Sequence, residues 1–174
     1  MDESKPTDQP YRQSVRPLRD EERGWLKQQL IRLWGTAQLV SRGHIHEAAK
    51  LPALVCEDGD EPVGVVTYDI RDRQCELVTL NAFEDGRGVG SALLAAVAKE
   101  ATAQGCRRLW LITTNDNLRA LAFYQRRGLR LAALYPGAVD ESRRIKPSIS
   151  LVAENGIPIR DELELELVLA GSGA

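Results

Sequence analysis

The sequence is short of the residues that several kinds of chemistry require. Of its 174 residues only two are histidine, His44 and His46, three are cysteine, and nine are aromatic: two Phe, three Trp and four Tyr. Two imidazoles leave little room for a histidine-rich metal centre, so no metal site is expected. Proton chemistry that needs an imidazole must use one of these two or do without. Cys56, Cys75 and Cys106 are odd in number and widely spaced, which fits neither a disulfide framework nor a C-x-x-C motif. A reducing, cytoplasmic location is the simplest expectation. Neither charge is in excess: 23 Lys and Arg against 25 Asp and Glu give a net −2, with no global field to hold a polyanion. Nucleic acid and anionic membranes are therefore not expected partners. No stretch approaches the roughly 18 apolar residues of a membrane span, and the polar start MDESKPTDQPYRQS lacks the apolar segment of an export signal.

What is present suits one domain able to bury its own core. Residues 1–14 carry charge and proline but no apolar period and are expected to be a disordered lead-in, with residues 15–170 the domain and 171–174 a flexible tail. A short edge strand is expected at Val15 to Leu18, where Pro17 cannot donate to a ladder. Next comes a helix capped by Asp20, with an apolar stripe of Trp25, Leu26, Leu30, Leu33 and Trp34. A short helix is expected from His46 to Lys50. Three strands joined by hairpins follow, at Ala53 to Cys56, Val63 to Ile70 and Cys75 to Ala82. In the third, Glu76, Val78, Leu80 and Ala82 would share one face. A helix from about Gly88 to Gln104, a strand from Arg108 to Thr114, a helix from about Asn117 to Arg127 and a strand from Leu129 to Tyr135 then alternate. Pro136 to Arg160 reads as a long irregular stretch. The last strand alternates Glu162, Glu164 and Glu166 with Leu163, Leu165, Leu167 and Leu169, a pattern of one wet face. It could pair internally or across subunits, so a homodimer is one expectation. The succession predicts a mixed α/β (α+β) domain on a single, mostly antiparallel central sheet of about seven strands flanked by helices.

The segment Asp85-Gly86-Arg87-Gly88-Val89-Gly90-Ser91-Ala92-Leu93-Leu94 lies between a strand and a strongly periodic helix. Glycines let the chain turn tightly and let an anion approach the N–H groups, and a helix start adds unpaired donors and a positive dipole end. A pyrophosphate would fit there; an ordinary glycine-rich loop would read the same way. A P-loop needs Lys-Ser or Lys-Thr after its glycines, which is absent, and a dinucleotide fingerprint needs a third glycine where Ser91 stands.

The run Asp85 to Gly90 resembles the Q/R-x-x-G-x-G/A motif of the GNAT superfamily of N-acetyltransferases, which hold acetyl-CoA by its pyrophosphate. Asn117-Leu118-Arg119-Ala120-Leu121-Ala122-Phe123-Tyr124-Gln125-Arg126-Arg127-Gly128-Leu129 is similar to the family's N-x-x-A-x-x-x-Y-x-x-x-G-F segment. The likeness covers roughly Val63 to Tyr135 and implies the GNAT-like acyl-CoA N-acyltransferase fold. It implies acetyl-CoA as cosubstrate, with the pantetheine arm along Leu80 to Ala82. The pyrophosphate would lie on Arg87, Gly88, Val89, Gly90 and Ser91, Asn117 would hold the cofactor arm, and Tyr124 would be the general acid. One position departs: Asp85 stands where the family has Gln or Arg, and an acid there repels a pyrophosphate.

Acetyl transfer to an amine of pKa about 10.4 begins with only about one amine in a thousand unprotonated at neutral pH, a handicap of roughly 4 kcal/mol unless a base assists. A carboxylate can supply that help. Glu76 is the candidate base, or else a solvated carboxylate at a strand end. Tyr124 suits the departing thiolate, or else is a core aromatic. His44 and His46 are read as solvated loop residues near the acceptor side. The Pro136 to Arg160 stretch is expected to fold over that side, its Arg143, Arg144 and Lys146 favouring an anionic substrate. The function implied is N-acetyl transfer from acetyl-CoA to the primary amine of a small molecule or peptide by direct attack. The other reading is a catalytically weak CoA-binding or regulatory domain, prompted by Asp85.

Overall fold

The alternating and hairpin patterns fold largely as the sequence predicts. In the computed structural model the described residues are 13–170, and the expectations for 1–12 and 171–174 fall outside them. The elements are β1 (Gln13–Pro17), α1 (Arg23–Trp34), β2 (Gln38–Ser41), β3 (His44–Glu47), β4 (Ala53–Asp58), β5 (Glu61–Arg71), β6 (Gln74–Ala82), α2 (Val89–Ala103), β7 (Arg108–Thr114), α3 (Leu118–Gln125), β8 (Arg130–Tyr135), α4 (Ala138–Ile145) and β9 (Glu162–Val168). Seven strands form one sheet in the order β1-β4-β5-β6-β7-β9-β8. Every pairing is antiparallel except β6 with β7, the mixed sheet expected. A separate two-stranded hairpin joins β2 to β3.

Each face of the sheet buries its own apolar cluster. On one side α2 contributes Leu93 and Val97, both fully buried, against Val66 and Leu109. On the other, Leu26 and Leu30 of α1 pack on Val55 and Val65. Each such side chain stabilises the fold by about 1.5–3 kcal/mol. Gly64 allows α2 to approach: a Cβ there would collide with Val89 Cγ1 and stand 2.8 Å from the Asn81 carbonyl oxygen.

Several expectations are corrected. β1 begins at Gln13, inside the expected lead-in, because its side-chain Nε2 donates to the Arg87 carbonyl at 2.6 Å and its backbone pairs with β4. Asp20 is not the cap of α1; it opens a 3-10 turn at Asp20–Glu22, and the Glu22 carboxylate accepts from the Arg19 N–H at 2.8 Å. The expected helix from His46 is strand β3 followed by a 3-10 turn at Ala48–Lys50. Pro136 to Arg160 contains α4.

Two corrections shape the site. The β5–β6 register passes from Thr67↔Thr79 to Tyr68↔Leu77, leaving Val78 as a bulged residue. A bulge inserts one residue and inverts the alternation beyond it. Leu77 and Leu80 therefore share the α2 side while Val78 packs on the α1 side, instead of Val78 and Leu80 sharing a face. The glutamate face of β9 is not wet: Glu162 and Glu164 are 3% and 7% exposed. β9 also lies between β7 and β8 with both edges paired, so it offers no edge to a second subunit.

Candidate active site

The two ends of β6 border two cavities. At the C-terminal end, Leu80, Asn81 and Ala82, the turn from Glu84 to Gly88, the start of α2 and one face of α3 enclose a groove of about 610 Å³. Gly86 and Gly88 have φ of +78° and +76°, the left-handed region that glycine enters without strain. A Cβ built on either meets nothing within 4 Å, so the turn has room for an anion. Gly88 is the cap of α2, and the first helical bond runs from the Ala92 N–H to the Gly88 carbonyl at 3.0 Å. The N–H groups of Val89, Gly90 and Ser91 precede it, as donors at a positive helix end. Gly90 is crowded: a Cβ there would stand 3.0 Å from Phe123 Cζ, so glycine is what lets α3 close the groove.

Gly88, Val89, Gly90, Ser91, Leu80, Ala82 and Asn117 all line this groove, but the side chain of Arg87 does not. It pairs with Asp58 and, at 2.8 Å, with Glu84, beside a different depression. Two arginines on α3 and just after it take its place. Arg119 pairs with Asp85, and Arg127 Nε donates to Ser91 Oγ at 2.8 Å while its guanidinium lies 3.6 Å from the Phe123 ring centroid. Asp85 is thus neutralised by a residue from the second motif. Asn117 Oδ1 accepts from the Ala120 N–H at 3.1 Å as the cap of α3, which leaves its amide nitrogen as the donor it can turn to the groove.

Tyr124 lines the same groove with Asn117 and Ala120, the single helix face that their spacing predicts. It is 8% exposed, and burial pushes its hydroxyl pKa well above the ordinary range. Among the described residues no hydrogen bond engages that hydroxyl. Asn81 also borders this groove. Its Oδ1 accepts from Trp34 Nε1 at 3.0 Å, which fixes the amide, and its buried Nδ2 has no partner among the described residues.

At the other end of β6 the parallel ladder with β7 covers only Gln74↔Arg108, Cys75↔Leu109 and Glu76↔Trp110. Beyond Glu76 the strands part, and the bulge at Val78 lies just past the split. Glu76 opens into a cavity of about 280 Å³ with His44, His46, Arg42, Trp110 and Glu164. Its Oε1 accepts from Ser41 Oγ at 3.1 Å and stands 3.5 Å from His46 Nε2. His46 is 6% exposed and this nitrogen makes no hydrogen bond. It is therefore not the solvated loop residue expected.

Comparison with known proteins now bears on these two cavities. Residues 14–129 match the model of the Acetyltransferase (GNAT) family. The chain belongs to the GNAT acetyltransferase family. It is 44% identical over 138 residues to the uncharacterized protein YdhI of Bacillus subtilis strain 168, covering 78% of this chain and 86% of that one. In fold it is similar to the IAA acetyltransferase from Bacillus cereus ATCC 14579, with a TM-score of 0.65 at 21% identity over 90% and 99% of the two chains. A GNAT family acetyltransferase from Elizabethkingia anophelis with acetyl-CoA bound gives 0.64 at 18% identity over 90% and 98%.

For this GNAT acetyltransferase, the acidic face of β9 supplies the far wall of the second cavity. Glu164 accepts from Arg108 Nη1 and from the Tyr135 hydroxyl, both at 2.7 Å. Glu162 accepts from Ser142 Oγ at 3.1 Å and from the Arg42 N–H at 3.3 Å. Both buried carboxylates are thus hydrogen-bonded, and Glu164 is also ion-paired with Arg108. The cations of the late stretch do not reach over this side as expected. Arg143 is tied to Asp140 and to the carbonyls of Ile149, Ser150 and Ile159, and Arg144 pairs with Glu141.

Proposed function

We propose that this protein moves an acetyl group from acetyl-CoA to a primary amine by direct attack in a ternary complex. The observation that carries the reading is the position of Glu76 at the last β6–β7 pair, in the wall of the acceptor cavity and on the same strand as Leu80 to Ala82 of the glycine-lined groove. Acetyl-CoA supplies the activated thioester. The turn from Gly86 to Ser91, with Arg119 and Arg127, is suited to hold its pyrophosphate, and Leu80 to Ala82 its pantetheine arm.

Glu76 takes the proton of the incoming amine, with His46 beside it to share the charge. Tyr124 keeps its proton at neutral pH because burial disfavours its phenolate. It donates a hydrogen bond to the departing sulfur, whose thiol has a reference pKa of about 8.5. The Asp85–Arg119 pair offsets the one acid in the motif that would repel the pyrophosphate. The buried free thiols of Cys56, Cys75 and Cys106 support a reducing compartment, the cytoplasm.

Calorimetry with acetyl-CoA, followed by CoA release across a panel of amines, tests the reading. Binding with amine-dependent release is expected. Binding with no release from any amine contradicts transfer.

A further inference from the structure

Of the carboxylates in the walls of the acceptor cavity, Asp69, Glu76 and Glu164 have partners among the described residues and Asp72 does not, and one of the two arginines, Arg42, is unpaired as well. Asp69 pairs with Arg71 at 2.8 Å, Glu164 with Arg108, and Glu76 with Ser41 and His46. The guanidinium of Arg42 lines the same cavity and, among the described residues, pairs with no carboxylate. It lies 3.3 Å from the Tyr135 ring centroid. A guanidinium held by its face on a ring keeps its edge N–H groups free, the geometry that grips a carboxylate with two bonds.

The backbone shows that this placement is built. Arg42 and Gly43 form the two-residue turn between β2 and β3, with φ of +50° and +73°. Such turns favour Asn-Gly or Asp-Gly, and an arginine at left-handed φ costs about 1–2 kcal/mol. That strain is held in place by the Arg42 N–H bond to Glu162 and by the ring beneath the side chain. Neighbouring Ser41 donates to Glu76, so one short turn supports both the acid and the free cation.

We propose that the acceptor is a small zwitterionic amine of the amino-acid type, its amine at Glu76 and its carboxylate on Arg42. The inference rests on the acetyl-transfer reading. A cavity of about 280 Å³ suits a molecule of that size better than a folded protein segment, and Arg42 is the cation in its wall with a guanidinium edge open to a carboxylate.

The test compares a series of free amino acids with their matched carboxamides in two readouts. One is kcat/KM for acetylation; the other is calorimetric affinity for the protein in the presence of CoA. The wild type is expected to favour the acids at least tenfold in both. Arg42→Gln should remove most of that preference, acting on the acids far more than on the amides. Arg42→Gly, which suits the left-handed turn, should do the same with an unchanged melting temperature. Equal handling of acid and amide, a preference for polyamines, or a preference that survives both substitutions overturns the proposal alone. Absence of transfer to every amine in both series overturns the proposal, and absence of CoA release across the wider amine panel, with acetyl-CoA bound, overturns the acetyl-transfer reading as well.

Discussion

His46 Nε2 stands 3.5 Å from Glu76 Oε1, and both groups open into one cavity although they come from a peripheral hairpin and the centre of the sheet. This arrangement puts an imidazole beside the candidate base, close but not hydrogen-bonded to it among the described residues. Glu76→Gln should lower kcat by about 10²–10⁴, the range of lost general base catalysis, with a smaller change in acetyl-CoA affinity. His46→Asn should lower kcat less than Glu76→Gln does. An unaltered profile in Glu76→Gln would place the base elsewhere.

Tyr124→Phe removes one hydroxyl from a buried position and leaves the ring in place. Its kcat should fall at least about tenfold while the calorimetric affinity for acetyl-CoA changes less than about threefold. The folded hydroxyl pKa is raised by burial, so the proton is kept above the ordinary value of about 10. Turnover should therefore show no decline up to about pH 10 from loss of this proton. Unchanged turnover in Tyr124→Phe would contradict the role, and a decline below about pH 10 present in the wild type and absent in Tyr124→Phe would contradict the raised pKa.

The Asp85–Arg119 pair is exposed on both sides, where an ion pair contributes about 1 kcal/mol or less to stability. Its consequence lies in cofactor affinity. Arg119→Gln leaves Asp85 uncompensated and should weaken acetyl-CoA binding about tenfold at low salt, less at high salt. Asp85→Gln should tighten it. Affinity unchanged in both variants would show that the backbone donors alone hold the pyrophosphate.

Gly64→Ala tests how the cofactor turn is held against the sheet. The new methyl meets Val89 Cγ1 and the Asn81 carbonyl oxygen, a backbone atom with little freedom to retreat. Overpacking of this kind costs about 1–3 kcal/mol. Denaturant unfolding should show that loss, and acetyl-CoA affinity should fall because the start of α2 is displaced.

Local pattern made much of this legible. Hairpin spacing located β4 to β6, the 3.6-residue period located α2, and the two glycine-rich and tyrosine-bearing motifs placed Tyr124, Ala120 and Asn117 on one groove. The β2–β3 hairpin escaped because its strands are four residues each, too short for a period to show. The burial of Glu162 and Glu164 escaped for a different reason. Alternation reports which residues share a face, not what covers it, and Arg108, Ser142 and Tyr135 reach that face from three other elements. Arg87 looked like a phosphate ligand by its place in the motif, yet Asp58, nearly thirty positions upstream, takes its guanidinium. The inversion at Val78 had no sequence signal, since Val78 and Leu80 are both apolar.

Mass spectrometry of both protein and amine after incubation with acetyl-CoA tests the central claim most directly. The account predicts that the acetyl group appears on the amine, that its appearance depends on the enzyme, and that no acetylated protein forms on the way. An acetylated protein that passes its group to the amine would contradict direct attack, and an amine left unmodified beside bound acetyl-CoA would contradict transfer itself.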